Sequence, residues 1–178
     1  MPQGEWCAHC RIFYVMEKFN LVLHAPEIPG NTGNIGRTAV ALNLRLILIR
    51  PLGFSLDEKS LRRAGLDYWQ HVNLTIYESF DDFYEGEKIA STQQLFFFSR
   101  FTKQSFYESN LEVSYEKHGP LYMVFGSETK GLPDCLWEKH EDRFWGLPMY
   151  SDKIRSLNLA NCVCAVAYES MRQLLGLR

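Results

Sequence analysis

The apolar positions of this chain form short continuous runs, separated by segments in which apolar residues recur at helical spacing. Runs at 19–24, 45–50, 72–77, 94–99 and 121–125 predict five strands, and 143–147 predicts a weaker sixth strand. Helical spacing or capping residues predict helices over 35–43, 57–64, 79–88, 133–139 and 156–175. Strands that alternate with helical connections form a parallel sheet with helices on both faces. The pattern therefore predicts one α/β domain, with neither repeats nor an internal linker.

Composition narrows the class of protein. The chain has 178 residues, 46% of them apolar and 22% charged, with a formal net charge of −2. These values are typical of one globular domain and argue against a disordered chain. A small negative charge excludes a surface that is basic throughout, but it leaves room for a local basic patch that binds nucleic acid.

The cysteines and the apolar runs indicate in which cellular compartment the protein is located. The five cysteines are odd in number and irregularly spaced, and two of them, Cys162 and Cys164, lie in an apolar run. This usage predicts a reducing, cytoplasmic location. Neither a secretory signal nor an apolar run of about 18 residues, the length of a membrane span, is present. Cys7 and Cys10 resemble half a zinc site, but the matching second pair of ligands is missing, so no metal is expected.

Three polar loops follow predicted strands, where open α/β sheets bind their ligands. The first, 31–37, is expected to end in a helix that begins at Ile35 and is capped by Asn31 or Thr32. The second, 124–132, carries two glycines and Glu128, and the third, 147–161, places hydroxyl and amide groups ahead of the last helix. Each has a purely structural alternative: a capped helix, a hairpin turn and a set of helix caps.

Together, in this order, the loops resemble the SPOUT class of RNA methyltransferases over residues 19–173. Phe-Gly-Ser-Glu-x-x-Gly-Leu at 125–132 and Ser-Leu-Asn at 156–158 are similar to the branch that methylates ribose 2′-hydroxyls. Finer similarities to the tRNA wobble-position (cytidine(34)-2′-O) methyltransferases are His-Ala-Pro-Glu-Ile-Pro at 24–29, the segment 59–68 and the ending at 168–173.

The resemblance implies a mostly parallel sheet with helices on both faces and a deep C-terminal trefoil knot. It implies a homodimer that transfers a methyl group from S-adenosylmethionine to the wobble nucleotide of the tRNA anticodon loop, cytidine or a modified uridine. Residues 1–18 are then a dispensable N-terminal extension, and 19–178 form a single SPOUT domain. That length leaves no room for a separate RNA-binding domain, so the catalytic domain itself is expected to bind the RNA.

Residues carry over from the family position by position. The resemblance implies cofactor contacts, mainly through the backbone, at Phe98, Gly126, Leu147 and Ser156. It assigns a general-base role to Arg37, with Asn31, Glu128, Ser156 and Asn158 in support. Arginine stays protonated at ordinary pH, so a phosphate clamp or stabilisation of a developing alkoxide are the alternative roles for Arg37.

The expected RNA contacts are basic residues around the loops and on one predicted helix, together with an aromatic residue of the last helix. They are Lys59, Arg62, Arg63, Lys103, Lys130, Lys153, Arg155 and Tyr168. Contacts to phosphates predict salt-sensitive binding. Three other functions compete: methylation of another RNA site, a non-catalytic RNA-binding module, and a dehydrogenase. The last is disfavoured because Gly-x-Gly-x-x-Gly is absent.

Overall fold

The fold is a six-stranded, fully parallel sheet in a computed structural model that describes residues 18–56 and 68–176. The strand order is β3-β2-β1-β5-β4-β6. The strands are β1 Phe19–His24, β2 Arg45–Ile49, β3 Asn73–Tyr77, β4 Leu95–Phe98, β5 Leu121–Phe125 and β6 Phe144–Trp145. The predicted parallel α/β class is confirmed, although β6 is shorter than expected.

The described residues form five α-helices: α1 Pro29–Leu42, α2 Phe80–Gly86, α3 Leu111–His118, α4 Asp134–His140 and α5 Leu159–Leu174, of which the last follows β6. Because successive side chains of a strand point to opposite faces, each buried strand supplies two cores. Leu21 and Leu23 belong to the core that α1, α3 and α5 cover. Val22 belongs to the other core, which α2 and α4 cover. The prediction of helices on both faces is therefore confirmed.

Helix α1 begins six residues earlier than predicted, at Pro29. Proline suits the first position of a helix, because its fixed φ is already helical and the N–H it lacks would have no partner there. The expectation that Asn31 or Thr32 caps a helix beginning at Ile35 is therefore wrong. Both residues lie buried inside the first turns of α1.

The last helix begins three residues later than predicted, at Leu159, and its cap is Asn158. The Asn158 Oδ1 accepts from the backbone N–H of Ala160 at 2.9 Å and of Asn161 at 3.4 Å. Helix α3 was not predicted at all. Only Leu111 of its eight residues is buried, so its sequence lacks the apolar stripe that marks an amphipathic helix.

Several sequence predictions fall outside the described residues. They are the helix over 57–64 with Lys59, Arg62 and Arg63, the Cys7–Cys10 pair, and residues 1–17 of the expected extension. Lys18 is buried and donates from Nζ to the Leu174 carbonyl at 3.0 Å. Among the helices described, none has the length and apolar character needed to cross a membrane.

Candidate active site

The carboxyl ends of β5, β4 and β6 meet at one edge of the sheet. Phe98 pairs in register with Phe125 on one side and Trp145 on the other. The Phe98 and Phe125 rings stack at 4.6 Å between centroids, with an interplanar angle of 12°. Three residues carried over as cofactor contacts therefore lie near one another: Phe98 ends β4, Gly126 follows β5, and Leu147 lies two residues beyond β6.

Gly126 opens a tight turn. Two backbone hydrogen bonds close it, from Ser127 N to Gly131 O at 3.1 Å and from Gly131 N to Ser127 O at 2.9 Å. The structural alternative for this loop, a hairpin-like turn, is thus what the backbone forms. Across the described part of the chain, the peptide groups of Gly126 and Leu147 make no hydrogen bond. Their N–H and C=O groups remain available to a ligand at this edge.

Gly126→Ala is expected to lower the free energy of unfolding by about 2 kcal/mol, because overpacking forces backbone to shift. A Cβ at this position would lie 2.1 Å from the carbonyl carbon of Gly131. Urea denaturation measures the loss. The matched control is Gly30→Ala in the first turn of α1, where a Cβ meets no atom within 4 Å. Equal stability of the two variants would contradict this account of the turn.

A chain of side-chain hydrogen bonds joins the three polar loops. Glu128, in the turn after β5, accepts from the backbone N–H of Glu27 at 2.8 Å and of Ile28 at 3.2 Å. Its other contact is Asn31 Nδ2, at 2.9 Å from Oε1. Asn158 Nδ2 in turn donates to Asn31 Oδ1 at 2.9 Å. Glu128 therefore accepts hydrogen bonds from N–H groups that have no partner within α1, and its negative charge is favourable at the start of a helix.

Asn31 is the centre of this network. It is 7% exposed, and its amide donates to Glu128 and accepts from Asn158. A buried amide satisfied at both ends fixes the distance between its partners, because leaving either group unpaired would cost about 1–3 kcal/mol. A further bond, which the sequence did not indicate, joins the second loop to the segment before α1: Thr129 Oγ1 donates to the Glu27 carboxylate at 2.7 Å.

Arg37 lies on α1, six residues beyond Asn31, with its side chain exposed. Its guanidinium lies over the ring of Tyr68, at 4.3 Å from the ring centroid. Tyr68 also donates from its hydroxyl to the Gly33 carbonyl at 2.8 Å. Tyr68 ends the segment 59–68 that resembles the family, but nothing in the sequence indicated that it contacts Arg37.

The remaining predicted residues are not joined to this network. Ser156 lies in the exposed segment 148–157, and its side chain makes no hydrogen bond within the described ranges. Lys103, Lys130, Lys153 and Arg155 are exposed, and the Lys153 Nζ lies 3.6 Å from Asp152. Tyr168 is 55% exposed on α5. In residues 18–56 and 68–176, no group of three His, Cys, Asp or Glu side chains could hold a metal ion.

Comparison with known proteins gives a consistent result. Residues 18–168 match the model of the SpoU rRNA Methylase family. A tRNA (cytidine(34)-2′-O)-methyltransferase from Yersinia pestis is 43% identical over 159 residues, which are 87% of this chain and 93% of that protein.

Two solved structures are similar as well. One, from a study of the 2-OH methylation of C/U34 on tRNA, has 42% identity and a TM-score of 0.76, and the match covers 90% of this chain and 98% of that one. The other is the SpoU methyltransferase AviRb from Streptomyces viridochromogenes in complex with the cofactor AdoMet. It has 27% identity and a TM-score of 0.71, and the match covers 91% of this chain and 60% of that one.

Proposed function

This chain belongs to the SpoU rRNA methylase family, and from that premise we propose that it methylates the ribose 2′-hydroxyl of nucleotide 34 in tRNA. The methyl donor is S-adenosylmethionine. The relatives that resemble the chain over most of its length support the position on tRNA. The observation that carries the proposal within this structure is the Glu128–Asn31–Asn158 network, which joins the three motif loops at one edge of the sheet.

Phe98, Gly126, Leu147 and Ser156 hold the cofactor in this proposal. The unpaired peptide groups of Gly126 and Leu147 fit an adenine edge or a ribose hydroxyl. The stacked Phe98 and Phe125 rings hold the ends of β4 and β5 together beside them. S-adenosylmethionine, when bound, supplies an electrophilic methyl group for attack by a ribose oxygen. The deep trefoil knot, which remains a prediction, would bring the loops around the cofactor.

Arg37 contacts the substrate ribose or the adjacent phosphate. Its protonated guanidinium can donate to an oxygen that gains negative charge in the transition state, or fix a phosphate through a bidentate contact. Asn31, Glu128 and Asn158 are positioning residues, because their polar atoms already bond to one another and to helix N-termini. Ser156 completes the third loop next to Asn158.

The RNA surface combines basic and aromatic side chains. The side chains that contact phosphates are those of Lys59, Arg62, Arg63, Lys103, Lys130, Lys153 and Arg155. Tyr168 contacts a nucleotide or a second subunit.

A homodimer is supported by exposed apolar side chains of Tyr150, Ile154 and Tyr168, which a partner would cover. The site of action is the cytoplasm, where tRNA is the substrate. Analytical ultracentrifugation tests the dimer, and a monomer at micromolar concentration would contradict it.

The function is tested with purified protein, labelled S-adenosylmethionine and an unmodified tRNA transcript. Digestion of the product maps the methylated nucleotide. The expected product is a 2′-O-methylnucleoside at position 34, with transcripts carrying cytidine or uridine there assayed separately. A label at another position would indicate methylation of a different RNA site. No label with any tRNA, combined with measurable tRNA binding, would indicate a non-catalytic RNA-binding module.

Binding of tRNA is expected to weaken steeply with salt, because each phosphate contact releases a counterion. The seven proposed contacts would give a slope of about −4.9 in a plot of log affinity against log salt concentration, at about −0.7 per contact for single strands. Filter binding between 50 and 300 mM salt, as approximate limits, measures the slope. Lys130→Ala should make it shallower by about 0.7. A flat response would refute phosphate contacts as the source of affinity.

A further inference from the structure

The Arg37 guanidinium lies against an aromatic ring, that of Tyr68. Arg37 donates no hydrogen bond and forms no ion pair in the described parts of the chain. Arg45 and Arg143 differ, because Arg45 binds Glu87 and Arg143 donates to Gln93 and to the Leu95 carbonyl. Arg100 resembles Arg37 in lying over a neighbouring ring. The N–H donors of Arg37 are therefore left available, while its flat face is covered.

Tyr68 is itself fixed to the helix that carries Arg37. Its hydroxyl donates to the Gly33 carbonyl, and Gly33 precedes Arg37 by four residues, about one turn of helix. The neighbouring Trp69 packs against Gly36 so closely that a Cβ there would lie 2.7 Å from the indole ring. The Tyr68 side chain thus contacts α1 at two points: its hydroxyl binds the Gly33 carbonyl, and its ring lies under the Arg37 guanidinium.

We propose that Tyr68 is a positioning residue, which holds the Arg37 guanidinium ready for the ribose or phosphate. This inference rests on the proposed role of Arg37. A free arginine side chain carries about 2 kcal/mol of rotamer entropy, part of which is lost whenever it is fixed on a substrate. Stacking on an aromatic ring restricts the guanidinium in advance and uses only its face. A carboxylate partner would instead occupy the donors that the reaction needs.

The test separates the ring from the hydroxyl. Tyr68→Leu removes both, and is expected to lower kcat for tRNA methylation roughly 3- to 30-fold, with S-adenosylmethionine affinity unchanged. Tyr68→Phe keeps the ring and should retain kcat within about 3-fold of wild type. A folded Tyr68→Phe that loses as much turnover as Arg37→Ala would overturn the proposal, because the hydroxyl would then be the required group.

A double-mutant cycle tests whether Tyr68 acts through Arg37. Adding Tyr68→Leu to Arg37→Ala should cause no further loss of kcat, since the guanidinium to be positioned is gone. Independent, multiplicative losses would overturn the proposal, as would full activity of Tyr68→Leu. If Tyr68→Leu does not fold, as shown by circular dichroism, the same cycle is run with Tyr68→Met, which also lacks an aromatic ring. An inactive wild-type protein would instead refute the proposed function, so the two failures are distinguishable.

Discussion

Arg37→Ala is expected to bind S-adenosylmethionine as tightly as the wild type and to lower kcat for tRNA methylation at least about 100-fold. Removing one preorganised donor to a developing oxyanion commonly costs about 10²–10³ in rate. The proposed cofactor contacts Phe98, Gly126 and Leu147 lie at or just beyond the ends of β4, β5 and β6, whereas Arg37 is an exposed residue of α1 that bonds to none of them. Calorimetry of cofactor binding and single-turnover methylation measure the two quantities separately.

Two further variants identify what Arg37 does. Arg37→Lys keeps the positive charge but loses the planar group that makes bidentate contacts and stacks on a ring. If bidentate geometry matters, its kcat should stay below about 10% of the wild-type kcat. Lys139→Ala removes an exposed positive charge from α4, on the opposite side of the sheet, and should leave kcat unchanged. A raised KM for tRNA with unchanged kcat would indicate a phosphate clamp. Wild-type values of both kcat and KM in Arg37→Ala would refute both roles.

The central strands were predictable because burial on both faces leaves a continuous apolar run. β1 and β5 begin and end at the residues that the pattern predicted, Phe19–His24 and Leu121–Phe125, and they lie side by side in the middle of the sheet. By contrast, β6 is an edge strand that pairs only with β4, and it is only two residues long. Its weak sequence signal reflects that position.

The start of α1 was missed because its first turns are rich in glycine and asparagine, which ordinarily favour loops. What stabilises those turns lies far away in the sequence: Glu128 binds the backbone N–H groups of Glu27 and Ile28 about a hundred residues earlier. No local pattern contains that information. The family resemblance selected Asn31, Glu128 and Asn158 as residues of one site, but only the fold shows that they bond to one another.

Residues around the site also have partners that no local sequence pattern contains. Tyr68 and Glu27 lie within segments that the resemblance had marked, yet their partners Arg37 and Thr129 could not be read from spacing. Conversely, the exposed positions of Lys130, Lys153 and Arg155 match the expectation for phosphate contacts, although exposure is also the ordinary state of a charged side chain. The salt dependence of tRNA binding, and not the exposure of these side chains, therefore tests whether they contact phosphates.

A buried cluster around Glu87, which no sequence pattern indicated, lies on the face of the sheet that α2 covers. The Glu87 carboxylate, whose side chain is 7% exposed, accepts hydrogen bonds from Arg45, Tyr77 and Tyr122. Arg45 also donates to Thr75 at 3.0 Å. These contacts join β2, β3 and β5 to the residue that follows α2. The cluster contributes to stability in this account, not to methyl transfer.

Burial alone would raise the pKa of Glu87, but hydrogen bonds from Arg45, Tyr77 and Tyr122 outweigh it and hold the pKa below the usual 4.5. Glu87→Ala is therefore expected to lower the free energy of unfolding by about 3 kcal/mol near pH 7, since it leaves Arg45 and the two tyrosines without their acceptor. Urea denaturation followed by circular dichroism measures this loss.

The pH dependence follows from the direction of the shift. Because the pKa of Glu87 is lower in the folded state than in the unfolded chain, its stabilising effect is complete above about pH 4.5 and is lost as the pH falls through the folded value. The stability of Glu87→Gln should therefore lie below that of the wild type at neutral pH and approach it in acid. Glu85→Gln makes the same change of charge at an exposed position of α2 and should alter stability by less than about 0.5 kcal/mol. A gap between wild type and Glu87→Gln that stays constant down to about pH 3 would show that ionisation of Glu87 is not the source of the stability.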